Sequence, residues 1–273
     1  IDKFINNGHA DVVQQLFDEV HTRMMFVLLG IPDEETAEVN QLAKSRAELT
    51  WGKLPKEEII QEAHTLVDYW QYCEKHVNRL VENPGDDYTS ELIRARKGDN
   101  SIATVNEITM TVFNLLLAGS NPAGRGLINL LNHRESWKAL CQDSSLIPNA
   151  VEEIFRYETP VITWRRITTK PVEIGRIHIP AEAPLLIVLG SANRDEKKFP
   201  DGETFDIYRK NAKQHLAFSF GIHYCLGAPL ARLELKMLLK ELTRRLPHMR
   251  LIEGQTYEYS SNIAHRGPEH VWV

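Results

Sequence analysis

Residues 218–227 read FSFGIHYCLG, and APLARLELKMLLKEL follows without a break. Pro229 suits the first turn of a helix, where its missing N–H would have had no partner, and Leu235, Leu238, Leu239 and Leu242 recur on one face. A long helix therefore starts within a few residues of Cys225. Its free N–H groups and positive dipole end favour thiolate over thiol at that sulfur. Gly221 and Gly227 are expected to let the backbone turn sharply and approach a flat ligand with no Cβ in the way. The stretch reads as a loop that holds a reactive or metal-bound thiolate. The competing reading is a small buried hydrophobe in a glycine-rich turn.

Upstream, the chain is mostly helical in pattern. Residues 10 to 30 carry apolar positions at helical spacing and close on Gly30; further helices are expected near 34 to 50 and 56 to 82, and ENPGDDYTS breaks the run. From Ile102 to about Asn132 comes a long helical candidate, apolar on every side through MTVFNLLLAG, the pattern of a helix buried all round. Another helix covers IPNAVEEIFRY and stops before Thr159-Pro160. PVEIGRIHIP and APLLIVLG then read as strands, and residues 193 to 217 as irregular. The fold class expected is mainly α with a small β-sheet.

Composition narrows the function. The 273 residues hold 37 acids against 32 bases, a net charge of −5, so charge gives no support to a nucleic-acid partner. No apolar stretch approaches the roughly 20 residues of a membrane-spanning helix, and the first residues do not read as a signal peptide, which suggests a cytoplasmic protein with no membrane partner. Three cysteines, Cys73, Cys141 and Cys225, lie far apart with no Cys-x-x-Cys pair. That spacing argues against a disulfide framework or a zinc knuckle.

The order Phe-x-x-Gly-x-His-x-Cys-x-Gly, here Phe218, Gly221, His223, Cys225 and Gly227, resembles the haem-ligand loop of the cytochrome P450 family, and APLARLE resembles its bacterial soluble members. Elsewhere, Glu153 and Arg156 match the family's Glu-x-x-Arg pair, and Arg166 through SANRDEKKFPDGETFDIYR resembles its small sheet and meander. The resemblance implies a single haem-binding domain over residues 1–273 that lacks the N-terminal third of a usual member. It implies haem b as cofactor, with Cys225 as the iron ligand, Phe218 packed near the sulfur, and His223 and Arg166 at the haem propionates. Glu153 and Arg156 would pin the meander. Where many members have arginine before the phenylalanine of the meander, this chain has Thr204 before Phe205, which leaves Arg209 as the candidate third partner.

The long apolar helix departs from the family. Members show Ala-Gly-x-acid-Thr there, the acid and alcohol helping proton delivery; this chain has Ala118, Gly119, Ser120, Asn121 and Pro122. Pro122 removes an N–H and breaks the helix, preserving the kink, but Asn121 cannot act as acid or base at neutral pH. Ser120, an ordered water or the substrate is left to relay protons. Family topology puts Leu117, Ala118, Gly119, Asn121, Val161 and Ile162 around haem and substrate, with residues 257 to 263 beside them and Trp51 in a possible lid.

The function expected is a monooxygenase acting on a small organic secondary metabolite, in the manner of cyclic-dipeptide oxidases, with a separate ferredoxin or flavodoxin as donor and a monomeric chain. Arg232, Lys236, Lys240, Arg244 and Arg245 would steer that donor. Peroxide use, a noncatalytic haem-binding remnant, and a haem-free reactive thiol are the alternatives.

Overall fold

The computed structural model describes residues 1–51, 54–116, 123–259, 264 and 267–273, with the backbone alone at residues 44–48, 50, 51 and 123–125. They form two compact units, one of Ile1–Val12 with Pro122–Val273 and one of Val13–Asn121.

The second unit is helical. A π-helical turn, Val13–Phe17, runs into α1 (Asp18–Leu29), followed by α2 (Thr36–Trp51), α3 (Lys56–Glu82), α4 (Tyr88–Ala95) and α5 (Val105–Leu115). Gly30 ends α1 in the left-handed region at φ 75°, and a Cβ there would lie 2.6 Å from the Asp87 carboxylate. Only glycine serves both needs. Asp87 in turn caps α4 by accepting from the Ser90 N–H at 2.8 Å, which is how a helix forms where the sequence suggested only a break. The Leu29 carbonyl takes the Thr89 hydroxyl at 3.0 Å and His76 Nε2 at 2.9 Å, joining α1 to α3 and α4.

Helix α5 starts on a capping box between Thr104 and Glu107. It packs on α3, where the Tyr69 and Phe113 rings stack with centroids 4.7 Å apart and the Tyr69 hydroxyl donates to the Phe113 carbonyl. The expectation of burial on every face does not hold. Ile108, Thr109 and Val112 are buried while Met110 is exposed, because α3 and α4 cover one side. The expected helix of residues 102 to 132 starts at Val105, and its far part is α6 (Ala123–Asn132).

The other unit carries α6, α7 (Arg134–Gln142), α8 (Ile147–Tyr157), four short strands, α9 (Leu189–Ala192) and α10 (Ala228–Arg245). Its helices meet on apolar faces: Leu127, Leu130 and Leu131 of α6, Trp137 and Leu140 of α7, Val151, Ile154 and Phe155 of α8, and Leu235, Leu238, Leu239 and Leu242 of α10 are all buried. Gly126 sets the approach of α6 to α8, since a Cβ there would fall 2.2 Å from Ile154 Cγ2. Trp137 donates its indole N–H to the Pro247 carbonyl at 2.9 Å, fixing α7 against the chain beyond α10.

Strand β1 (Thr163–Ile167) pairs antiparallel with β4 (Pro184–Val188), Arg166 opposite Leu185; β2 (Val172–Ile174) and β3 (Ile177–Ile179) form a hairpin. PVEIGRIHIP is thus two strands, because Gly175 and Arg176 both take positive φ, 55° and 68°, and turn the chain back. At the ends of the chain, the Ala10 N–H donates to the Val273 carbonyl, the Val273 N–H returns a bond to Ala10, and the Val12 N–H donates to Val271. The mainly helical class with a small sheet is borne out.

Candidate haem-thiolate site

The cysteine loop folds onto its own backbone. Ser219 and Gly221 both have positive φ, 62° and 67°, and the second opens a single 3-10 turn, Gly221–His223, closed by the Tyr224 N–H on the Gly221 carbonyl at 3.0 Å. The Cys225 N–H donates back to the Phe218 carbonyl at 2.9 Å, and the Ala228 N–H bonds the Cys225 carbonyl at 3.2 Å as α10 begins. This places the half-buried Cys225 sulfur beside the first turn of an 18-residue helix.

The two glycines differ from each other. A side chain at Gly221 would meet strained backbone but open space, nothing lying within 4 Å of a Cβ. Gly227 has an ordinary φ of −78°, and its Cβ would touch only the Cys225 sulfur at 3.8 Å. A sharp turn is therefore not what Gly227 provides; it leaves room at the sulfur.

The surface around the thiol fits a large flat apolar ligand. Phe220 is 82% exposed, Ile222 97% and Leu226 65%, an apolar rim that water alone would not favour. Phe218 is buried under the loop, its ring 4.7 Å from Phe155 of α8. His223 is exposed on the rim. Arg166 lies on β1, half-buried, with Nη1 donating to the Arg165 carbonyl at 2.8 Å and no ion pair among the described residues. Val161 and Ile162 are half-buried ahead of β1, and the Ile162 N–H donates to the Ala264 carbonyl at 2.7 Å. Ile162 borders a cleft of about 540 Å³, to which the cysteine loop contributes no residue. Leu117, Ala118, Gly119, Ser120, Asn121 and Pro122 lie outside the described residues, as do the side chain of Trp51 and most of residues 257–263.

Against the meander sits a buried ion cluster. Arg156 Nε donates to Glu153 at 2.7 Å and Nη2 to the other oxygen at 2.8 Å. The remaining Arg156 hydrogens go to the carbonyls of Asn193 and Gly202, both at 2.8 Å, and of Thr204 at 3.0 Å, which uses every donor a guanidinium has. Arg209 supplies a second cation to Glu153 at 3.3 Å and also donates to the Thr204 carbonyl at 3.0 Å. Thr204 thus contributes its carbonyl, which any residue carries. This explains how the meander dispenses with an arginine there.

Sequence reasoning missed a second cluster. Glu152, one residue before Glu153 and turned about 100° away around α8, takes His215 Nε2 at 3.2 Å and two bonds from Arg232 of α10 at 2.7 and 3.1 Å. Burial works to raise its pKa, but the bonds from His215 and Arg232 outweigh it and hold the carboxyl down at about 2. The only signal in the sequence was two adjacent acids on an apolar helix. Arg232, expected on a steering surface, is bound inward; Arg244 pairs with Glu241 and Arg245 with Asp2. Of the five expected steering residues, Lys236 and Lys240 alone have no ion pair among the described residues.

The fold is mainly helical, and one cysteine stands at the head of a long helix within a rim of bare apolar side chains. Residues 56–249 match the family Cytochrome P450. The chain is 32% identical to 6-deoxyerythronolide B hydroxylase of Saccharopolyspora erythraea, over 100% of this chain and 67% of that protein. It is 34% identical to cyclomarin C epoxidase CymV of Salinispora arenicola, over 96% and 67%. The crystal structure of the CYP116B5 heme domain of Acinetobacter radioresistens superposes with a TM-score of 0.94 at 32% identity, over 99% of this chain and 67% of that one. The chain belongs to the cytochrome P450 family, whose members are haem-iron monooxygenases. It spans about two thirds of the length of these relatives.

Proposed function

We propose that the protein binds haem b through Cys225 and, with oxygen and a separate ferredoxin-type donor, oxidises a small organic secondary metabolite. The observation that carries this reading is the half-buried Cys225 sulfur at the start of α10 within a bare apolar rim. Relatives named as a hydroxylase and an epoxidase support oxygen insertion as the reaction class.

Haem bound there supplies oxygen activation and one-electron chemistry at iron, with thiolate donation favouring O–O cleavage. The chain's own residues do the rest. The Cys225 N–H bond to Phe218 holds the sulfur's backbone in one orientation. Phe220, Ile222 and Leu226 keep water from the ring face once covered. His223 and Arg166 would offer N–H donors to the propionates, Gly221 and Gly227 would leave the space a flat group needs, and Ala118 and Gly119 are the further residues assigned to haem binding. Leu117, Asn121, Val161 and Ile162 shape the substrate's surroundings.

Position 121 carries an amide, so no side-chain carboxylate there would deliver protons. Ser120, water or the substrate would carry them instead. The same Asn121-Pro122 pair favours a second reading in which peroxide replaces oxygen and donor. On the donor side, Lys236 and Lys240 remain to attract an acidic partner, so reduction rates should fall as salt rises, with a shallower slope than five free cations would give.

Substrate-dependent consumption of reduced ferredoxin, with an oxidised product, tests the reading. Consumption of peroxide alone selects the second reading. Consumption of neither, in a protein that carries haem, leaves a noncatalytic haem protein and overturns both.

A further inference from the structure

Arg232 stands on α10 seven positions after Cys225 and reaches back to both shoulders of the cysteine loop. Its Nη1 donates to the Tyr224 hydroxyl at 3.1 Å, Tyr224 being the residue before the cysteine. Its Cζ lies 4.5 Å from the centroid of the Phe218 ring, and Phe218 is the residue whose carbonyl receives the Cys225 N–H. The guanidinium is itself fixed by the two-pronged bond to Glu152. A fork of this kind sets orientation as well as distance.

Glu152 also holds the chain ahead of the loop. The Ala217 N–H donates to His215 Nδ1 at 3.0 Å, so the proton of the neutral ring sits on Nε2 and points at Glu152. One carboxylate on α8 therefore fastens the approach to the loop through His215 and its exit through Arg232. Among the described residues no side-chain bond joins this lattice to Glu153 or Arg156, so it is separate from the cluster under the meander.

We propose that Arg232 is a positioning residue for Cys225, holding Tyr224 and Phe218 so that the loop presents the sulfur in one fixed orientation from the Glu152 anchor. The inference rests on the haem-thiolate reading above. A cation that only decorated the surface of α10 would have no reason to spend its donors on an interior carboxylate and a loop hydroxyl.

The test compares Arg232→Met, Arg232→Lys and Tyr224→Phe with the unaltered haem-loaded protein. Two readouts are taken: amide exchange across residues 218–226, and the share of the reduced carbon monoxide complex with the red-shifted, thiolate-type Soret band. Arg232→Met should raise exchange in the loop about tenfold and cut the thiolate-type share by more than half, Tyr224→Phe should give about a threefold rise, and Arg232→Lys should recover part of the loss. Faster exchange spread evenly over α8 and α10, or no change in the loop in either Arg232→Met or Tyr224→Phe, overturns the proposal. If Arg232→Met does not fold, Tyr224→Phe decides. If the unaltered protein shows no thiolate-type band, the haem reading fails, and loop exchange in the haem-free protein still decides whether Arg232 orders Cys225.

Discussion

Arg209 donates its Nε to the Glu153 carboxylate at 3.3 Å, so one buried acid is shared by two guanidinium groups, Arg156 from the same helix and Arg209 from the end of the meander. Glu153→Gln would take from both cations the carboxylate they share in a buried site. Breaking a buried ion pair from one side costs about 3–5 kcal/mol. A drop of that size is expected in denaturant unfolding, whereas Thr204→Ala, which keeps the carbonyl, should stay within about 0.5 kcal/mol of the parent.

Glu152 gives the molecule an acid limit. Its carboxyl is held at about 2 in the folded chain against an ordinary 4.5, facing His215 and Arg232. A depressed carboxylate contributes stability in full above the ordinary value and loses it as pH falls through the folded one. Unfolding midpoints should therefore change little through this group from pH 7 to 5 and fall between about 4.5 and 2, and Glu152→Gln should flatten that fall. An equally steep acid profile in Glu152→Gln would contradict the assignment.

His270 acts in the opposite sense. Its Nδ1 meets Asp11 at 2.6 Å, and that hydrogen bond raises the imidazole above 6.5; desolvation opposes it, and the charge of Asp11 adds to the rise. Stability from a raised histidine is present below its unfolded value and lost as pH rises through the folded one. Because Asp11 also accepts from the Val271 N–H, amide exchange at Val12, Val271 and Val273 should quicken as pH climbs past that point, beyond the intrinsic base dependence. His270→Ala should remove the extra pH dependence.

Asn121 tests the proton relay. If a missing acid limits oxygen use, Asn121→Asp should raise product formed per electron by about tenfold, below the 10²–10⁴ a well-placed acid–base group can supply. Unchanged coupling would assign the relay to Ser120, water or the substrate.

What the sequence made legible was local. The spacing around Cys225 and the leucine face of α10 are short-range patterns, and Glu153 with Arg156 sit three apart on one helix, so both could be read directly. Strand β1 was hidden because TWRRI alternates weakly and its pairing with β4 is made across the chain. Helix α4 was hidden behind a proline-glycine break that supplies its cap at Asp87. Arg232 read as one of five donor-steering cations, since nothing local reveals that Glu152, from a distant helix, lies buried against it. Side chains whose partners come from far along the chain carry no periodic signature.

The most direct test is the absorption spectrum of the reduced protein under carbon monoxide, recorded for the unaltered chain and for Cys225→Ala. The account expects a red-shifted thiolate-type Soret band in the first and its complete loss in the second. The same band surviving in Cys225→Ala, or a colourless unaltered protein that cannot be reconstituted with haem, would contradict it.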